Sequence, residues 1–81
     1  MSPNDLITNI QKIHTTELGK ERIRKNLSLS CEDVVSWCIE KITSPNCKIE
    51  LKGKNYYAET CGVIIPVNAY SFTIITAHRI K

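Results

Sequence analysis

The sequence predicts an α+β fold in which two or three N-terminal helices pack on one face of a four-stranded antiparallel β-meander. Three observations carry that prediction. Apolar residues recur at helical spacing as far as Thr43, they alternate with polar residues from Cys47 onward, and the change falls on the breaker Ser44-Pro45-Asn46. Capping residues precede the helical runs, turn residues separate the alternating ones, and helices followed by strands build a two-layer α+β domain.

Ser2-Pro3-Asn4-Asp5 reads as a helix start, with serine as N-cap, proline at the first helical position and an acid three residues past the cap. Leu6, Ile10 and Ile13 share one face of that helix, which should stop near His14 or Thr15. Thr16 is placed to cap a second helix that begins Glu17-Leu18, runs to Leu27 and carries a dense basic edge. Ser30 before Cys31, Glu32 and Asp33 repeats the cap-plus-acid signature. Val34, Val35, Cys38, Ile39 and Ile42 then form the apolar stripe of a third helix up to Thr43.

In the first strand Cys47, Ile49 and Leu51 face one way, and Lys48, Glu50 and Lys52 the other. Gly53-Lys54-Asn55 is turn chemistry, Tyr56 to Thr60 a second strand, Cys61-Gly62 another turn and Val63 to Val67 a third strand. Pro66 has no N–H to give a ladder, which points to an edge or a bulge there. Asn68-Ala69 turns the chain into a last strand from about Tyr70 to Arg79. In that strand Phe72, Ile74, Thr76, His78 and Ile80 share the more apolar parity. Arg79 and Thr73 are therefore expected on the open face and His78 at the rim of the core, unless a bulge near Ala77 re-aims it.

The 81 residues fit one domain, helical over 1–43 and β over 47–80. A domain this small buries only about 60% of its unfolded surface, so a site is expected on a sheet face or in a shallow groove. No stretch reaches the roughly 18 apolar residues of a membrane span, and the start lacks the order of a signal peptide, so a cytoplasmic location is expected. The net charge is +3. All of that excess lies in residues 44–81, where Lys48, Lys52, Lys54, Arg79 and Lys81 face only Glu50 and Glu59. Such a bias suits an anionic partner and equally a solvated surface. The four cysteines lack the two-residue spacing of zinc ribbons and read as reduced thiols; neither a metal nor a cofactor is implied.

Metal-independent RNA cleavage needs a base for the 2′-hydroxyl, an acid for the leaving oxygen and cations for the phosphate. The tail supplies His78 for proton transfer, Arg79 to hold phosphate and Thr73 to hydrogen-bond it. Lys48, Lys52 and Lys54 add cations, and either Tyr56 or Tyr57 faces outward to stack on a base. His14, at a helix end, reads as a surface residue or a cap and stands outside this set. Arg22, Arg24 and Lys25, with Lys20, form a second basic cluster on the second helix, suited to phosphates, to an acidic protein surface or to solvent. Trp37, off the main stripe of the third helix, covers the core edge or anchors a partner.

Leu18-Gly19, Arg22-Ile23, Asn26-Leu27, Asp33-Val34-Val35, Trp37-Cys38, Gly53-Lys54-Asn55-Tyr56-Tyr57, Val67-Asn68-Ala69-Tyr70-Ser71 and Thr73-Ile74-Ile75-Thr76-Ala77-His78 resemble, nearly end to end, a family of short bacterial proteins known only as a domain of unknown function. That resemblance implies no activity. A looser one, of layout and of the tail Thr76-Ala77-His78-Arg79, is to the barnase, EndoU, colicin and RelE group of small toxin nucleases, which work from an open sheet face. The chain departs from barnase in having no evident glutamate base on its final strands.

The functional expectation is thus a nucleic-acid-directed protein, in its most concrete form a ribonuclease of toxin or phage type acting on RNA. The alternative is a non-enzymatic inhibitor or adaptor, antitoxin-like or anti-CRISPR-like, whose basic helix binds an acidic protein or nucleoprotein surface. A homodimer joined through the Pro66 strand or the last strand is a third expectation, because a thin core gains from association.

Overall fold

The computed structural model describes residues 4–30 and 33–80. The expected cap at Ser2-Pro3, together with Cys31, Glu32 and Lys81, lies outside the described residues. Three helices precede four strands: α1 (Asn4–Thr8), α2 (Glu17–Leu27), α3 (Val34–Ile42), β1 (Lys48–Lys52), β2 (Asn55–Thr60), β3 (Val63–Asn68) and β4 (His78–Arg79), with a 3-10 turn at Ile10–Lys12. The expected α+β architecture is present.

Each helix boundary has a local cause. α1 is shorter than its apolar spacing suggested, because Asn9 departs from helical geometry at φ −108° and its side-chain amide donates to the Asp5 carbonyl. Thr16 caps α2 by accepting the Gly19 N–H at 3.0 Å. Ser28 ends α2 in the left-handed region, φ 53°, and the Leu29 N–H returns to the Arg24 carbonyl at 2.9 Å. α3 begins later than the cap signature at Ser30 suggested: Asp33 is its N-cap, taking the Ser36 N–H on one oxygen and the Ser36 hydroxyl on the other, at 3.0 and 2.7 Å.

The sheet runs β1-β2-β3-β4, all neighbours antiparallel. Two-residue turns set its first two registers. Gly53 opens the β1–β2 turn with φ +59°, and Cys61-Gly62, at φ 51° and 73°, have the pair of positive angles that a type I′ hairpin requires. One face of the sheet supplies Tyr56, Ala58, Ile65 and Val67 to the core, where they meet Leu6, Ile23, Leu27, Val34, Cys38 and Ile42 from the helices. On the other face, among the described residues, Lys48, Glu50, Lys52 and Glu59 are exposed, and this is the open face.

Pro66 departs from expectation, for β3 is an inner strand. The Pro66 carbonyl accepts the Ile75 N–H at 2.9 Å, and within a strand residue the nitrogen and carbonyl point the same way. Its missing N–H therefore faces the last segment and leaves the β2 ladder intact. The last segment bears the loss. In place of a strand from Tyr70 to Arg79 there is a bridge between Val67 and Ile74, an irregular stretch over 75–77, and a ladder of only two pairs, Ile64 with His78 and Val63 with Arg79.

The Val67–Ile74 bridge and the Ile64–His78 pair are one residue out of step, so one extra residue has entered the last segment between them. A shift of one exchanges faces. Ile74 and Ala77 both reach the core although they are three apart, and His78 emerges on the open face. The bulge near Ala77, given above only as the exception, is the arrangement found. Among the described residues no helix is long and apolar enough to cross a membrane.

Candidate functional site

The open sheet face holds a shallow basin of about 360 Å³ lined by Lys48, Glu50, Lys52, Tyr57, Glu59 and Ile64. Alternation along each strand put these side chains on the same side, and the two hairpins align them in rows. One row crosses the whole sheet: Lys48 on β1 faces Glu59 on β2, Glu59 faces Ile64 on β3, and Ile64 faces His78 on β4. The next consists of Glu50, Tyr57 and Pro66, and a third of Lys52, Asn55 and Asn68. Lys52 pairs with Glu50 at 3.2 Å, and the Tyr57 hydroxyl accepts from the Asn55 side-chain amide at 3.2 Å.

Of the residues singled out in the sequence, Lys48, Lys52, Tyr57 and His78 meet on this face. Lys54 is exposed in the adjoining β1–β2 turn, where its carbonyl accepts the Ala69 N–H at 2.7 Å. The open choice between the tyrosines resolves on Tyr57. Tyr56 lies in the core, its ring stacked 6.1 Å from that of Phe72, and burial raises its phenol pKa above the ordinary 10.0.

Arg79 and Thr73 belong elsewhere, contrary to the expectation that put both on the open face. The register shift turns Arg79 to the helix side, where its guanidinium donates to the Leu27 carbonyl at 3.1 Å and so satisfies the C-terminus of α2. Thr73 forms a parallel bridge with His14, and the two side chains meet at 3.0 Å. Of the expected catalytic trio only His78 is part of the basin face.

The basic cluster on α2 divides by exposure. Arg22 and Lys25 are exposed, Arg24 is half-buried, and Lys20 is paired with Glu17 at 3.2 Å. Trp37 is half-buried against the core, with the Lys41 ammonium 5.5 Å above its ring. Of the described thiols Cys38 is buried, Cys47 half-buried and Cys61 exposed, the last two near each other. Burial raises the Cys47 thiol above its ordinary 9.0. Among the described residues no group of three or more His, Cys, Asp or Glu side chains is placed to hold a metal ion.

Two residues of chemical interest, Glu59 and His14, stood outside the expected site. Glu59 was legible, since two-residue turns at Gly53-Lys54 and Cys61-Gly62 oblige it to face both Lys48 and Ile64. His14 had no local signal, because its partner lies 59 residues away.

No curated protein and no solved structure matches the chain. A family model does, over residues 7–78, which takes in every element from the middle of α1 to the start of β4. The chain therefore belongs to the family described as "Protein of unknown function (DUF3781)".

Proposed function

We propose that this protein is directed to RNA and cleaves it, by acid–base chemistry independent of a metal, from the open face of its sheet. The row Lys48, Glu59, Ile64, His78 carries the reading. Glu59 and His78 are two strands apart, ~10 Å at the backbone from the ~4.8 Å strand spacing. Ile64 stands between them in the row, and both side chains are exposed on the same face, at a backbone separation that a phosphodiester and its flanking atoms could span.

In this mechanism the Glu59 carboxylate takes the proton of a ribose 2′-hydroxyl. The freed oxygen attacks the adjacent phosphorus, and the imidazolium of His78 gives its proton to the departing 5′-oxygen. The products are a 2′,3′-cyclic phosphate and a free 5′-hydroxyl. Lys48 attracts the equatorial phosphate oxygens, with Lys52 exchanging Glu50 for phosphate, and Tyr57 offers a ring to the neighbouring base. Glu59 thereby fills the base position for which the sequence offered no candidate, while Arg79 and Thr73 drop out of the chemistry.

The test is incubation of total RNA and short single-stranded oligonucleotides with wild type, Glu59→Gln and His78→Ala, chelator present throughout. Cleavage by wild type that leaves cyclic phosphate ends and falls by about 100-fold in each variant supports the reading. RNA left intact by wild type refutes it.

A second reading rests on Arg22 and Lys25, which are exposed and have no ion-pair partner among the described residues. In it α2 docks on an acidic protein or nucleoprotein surface and the protein acts by occupancy. Arg22→Ala with Lys25→Ala would then abolish retention of a partner while His78→Ala would leave it unchanged.

A further inference from the structure

We propose that Thr73 and His14 form a second reactive site, in which the Thr73 hydroxyl is a nucleophile toward activated carboxylic esters and His14 is its general base. The inference is independent of the open-face reading. It starts from the imidazole: His14 Nδ1 lies 2.8 Å from the Lys12 carbonyl oxygen, which can only accept. Nδ1 therefore carries the hydrogen and the neutral ring presents a lone pair at Nε2. That lone pair faces Thr73 Oγ1 at 3.0 Å, so the threonine hydroxyl is the donor. Nucleophile, base and a third group that orients the base thus stand in line.

The surroundings favour reaction over mere fastening. The main chain already joins the two segments, through His14 N–H to the Phe72 carbonyl at 3.2 Å and Ile74 N–H to the His14 carbonyl at 2.7 Å. The side-chain pair is not needed to hold them. Ser71 Oγ lies 2.9 Å from Thr73 Oγ1 and 3.2 Å from Asn68 Oδ1, so with the Thr73 hydrogen engaged by His14 the single Ser71 hydrogen has these two acceptors to choose between. Between the two hydroxyls Phe72 is held at φ 58°, a left-handed angle that a bulky side chain rarely adopts and that tends to mark functional segments. The Lys12 ammonium lies 5.8 Å from the centre of the Phe72 ring, bringing a cation to the loop that presents Thr73. His14 and Ser71 are exposed, while Thr73 itself is half-buried, so a substrate would approach from the side of the imidazole.

Thr73 Oγ1 attacks the ester carbonyl as its proton passes to Nε2. The new C–O bond forms, the alcohol departs and takes that proton from the imidazolium, and an acyl-threonine remains. Water, deprotonated in turn by His14, then releases the carboxylic acid and restores the hydroxyl.

The experiment uses the full chain, with p-nitrophenyl acetate as substrate and a fluorophosphonate as trapping probe; attack on its phosphorus expels fluoride and leaves a stable adduct. Peptide mass spectrometry should place one adduct on Thr73, and His14→Gln should slow its formation by about 100-fold. Glutamine keeps an acceptor for the threonine hydroxyl but is no base, and a thermal melt checks that this variant is folded. Thr73→Val should abolish both adduct and ester turnover. An unlabelled wild type, an adduct on Ser71 instead, or labelling of His14→Gln at the wild-type rate would each overturn the proposal. None of these outcomes bears on RNA cleavage, so the two readings fail separately.

Discussion

Arg79 closes α2: its guanidinium donates at 3.1 Å to the carbonyl of Leu27, the last residue of that helix, from a two-residue strand that Asn26 also ties to α2 through the Ala77 carbonyl. The bond gives Arg79 a structural role, and Arg79→Ala should lower the unfolding free energy by about 1 kcal/mol, below the usual range for a charge-assisted bond because the side chain is exposed to water. Urea denaturation measures that loss. If RNA cleavage by the folded variant fell as far as in His78→Ala, Arg79 would have to be returned to the chemistry.

Gly19 is the third residue of α2, and a methyl group there would collide with Thr15 Oγ1 and crowd Thr16 Oγ1. Both hydroxyls are engaged, Thr15 with the Ile74 carbonyl at 3.0 Å and Thr16 with the helix N-terminus. Disturbing two such bonds costs about 2 kcal/mol, whereas alanine returns about 1 kcal/mol of helix propensity. Gly19→Ala is therefore expected to destabilise by about 1 kcal/mol, reversing the usual sign of a glycine-to-alanine change in a helix. A higher melting temperature for the variant would contradict this.

Asp33 gives the fold an acid-sensitive cap. The Ser36 N–H, and after it the Ser36 hydroxyl, hold its carboxyl below the ordinary 3.8. A depressed native pKa adds stability that is present above the unfolded value and is lost as pH falls through the folded one. Asp33→Asn keeps a capping oxygen but cannot titrate. The melting temperature of wild type should consequently fall more steeply than that of Asp33→Asn below about pH 4. Parallel curves there would show that the cap does not contribute.

Among the described cysteines, Cys61 should be alkylated first. It is exposed on a turn, whereas Cys47 is half-buried with a thiol pKa raised by that burial. Timed iodoacetamide labelling with peptide mass spectrometry reads the order, and equal rates for the two would contradict it.

Much of this architecture was legible because it rests on neighbours in the chain. The period change at Ser44-Pro45-Asn46, the Thr16 cap and the turns at Gly53-Lys54 and Cys61-Gly62 each state their conformation within a few residues, and those two turns imply the row that joins Lys48, Glu59 and Ile64. The first helix and the last strand were overread. Apolar spacing does not register that Asn9 bonds the Asp5 carbonyl, nor that the segment facing the donorless side of Pro66 is the one around Ile75.

Sequence alone determined the α+β class, the meander order and which residues of β1 to β3 share a face, since a period of two or of 3.6 residues is a local property of the chain. Only the tertiary structure decided where the candidate site residues lie. One residue inserted opposite Ile65, just past Pro66, brings His78 out to the open face and turns Arg79 to Leu27, because a shift of one in an alternating strand exchanges every side chain between faces. His14 meets Thr73 for a related reason: segments 59 residues apart become neighbours through the packing of the whole core, which no local pattern records.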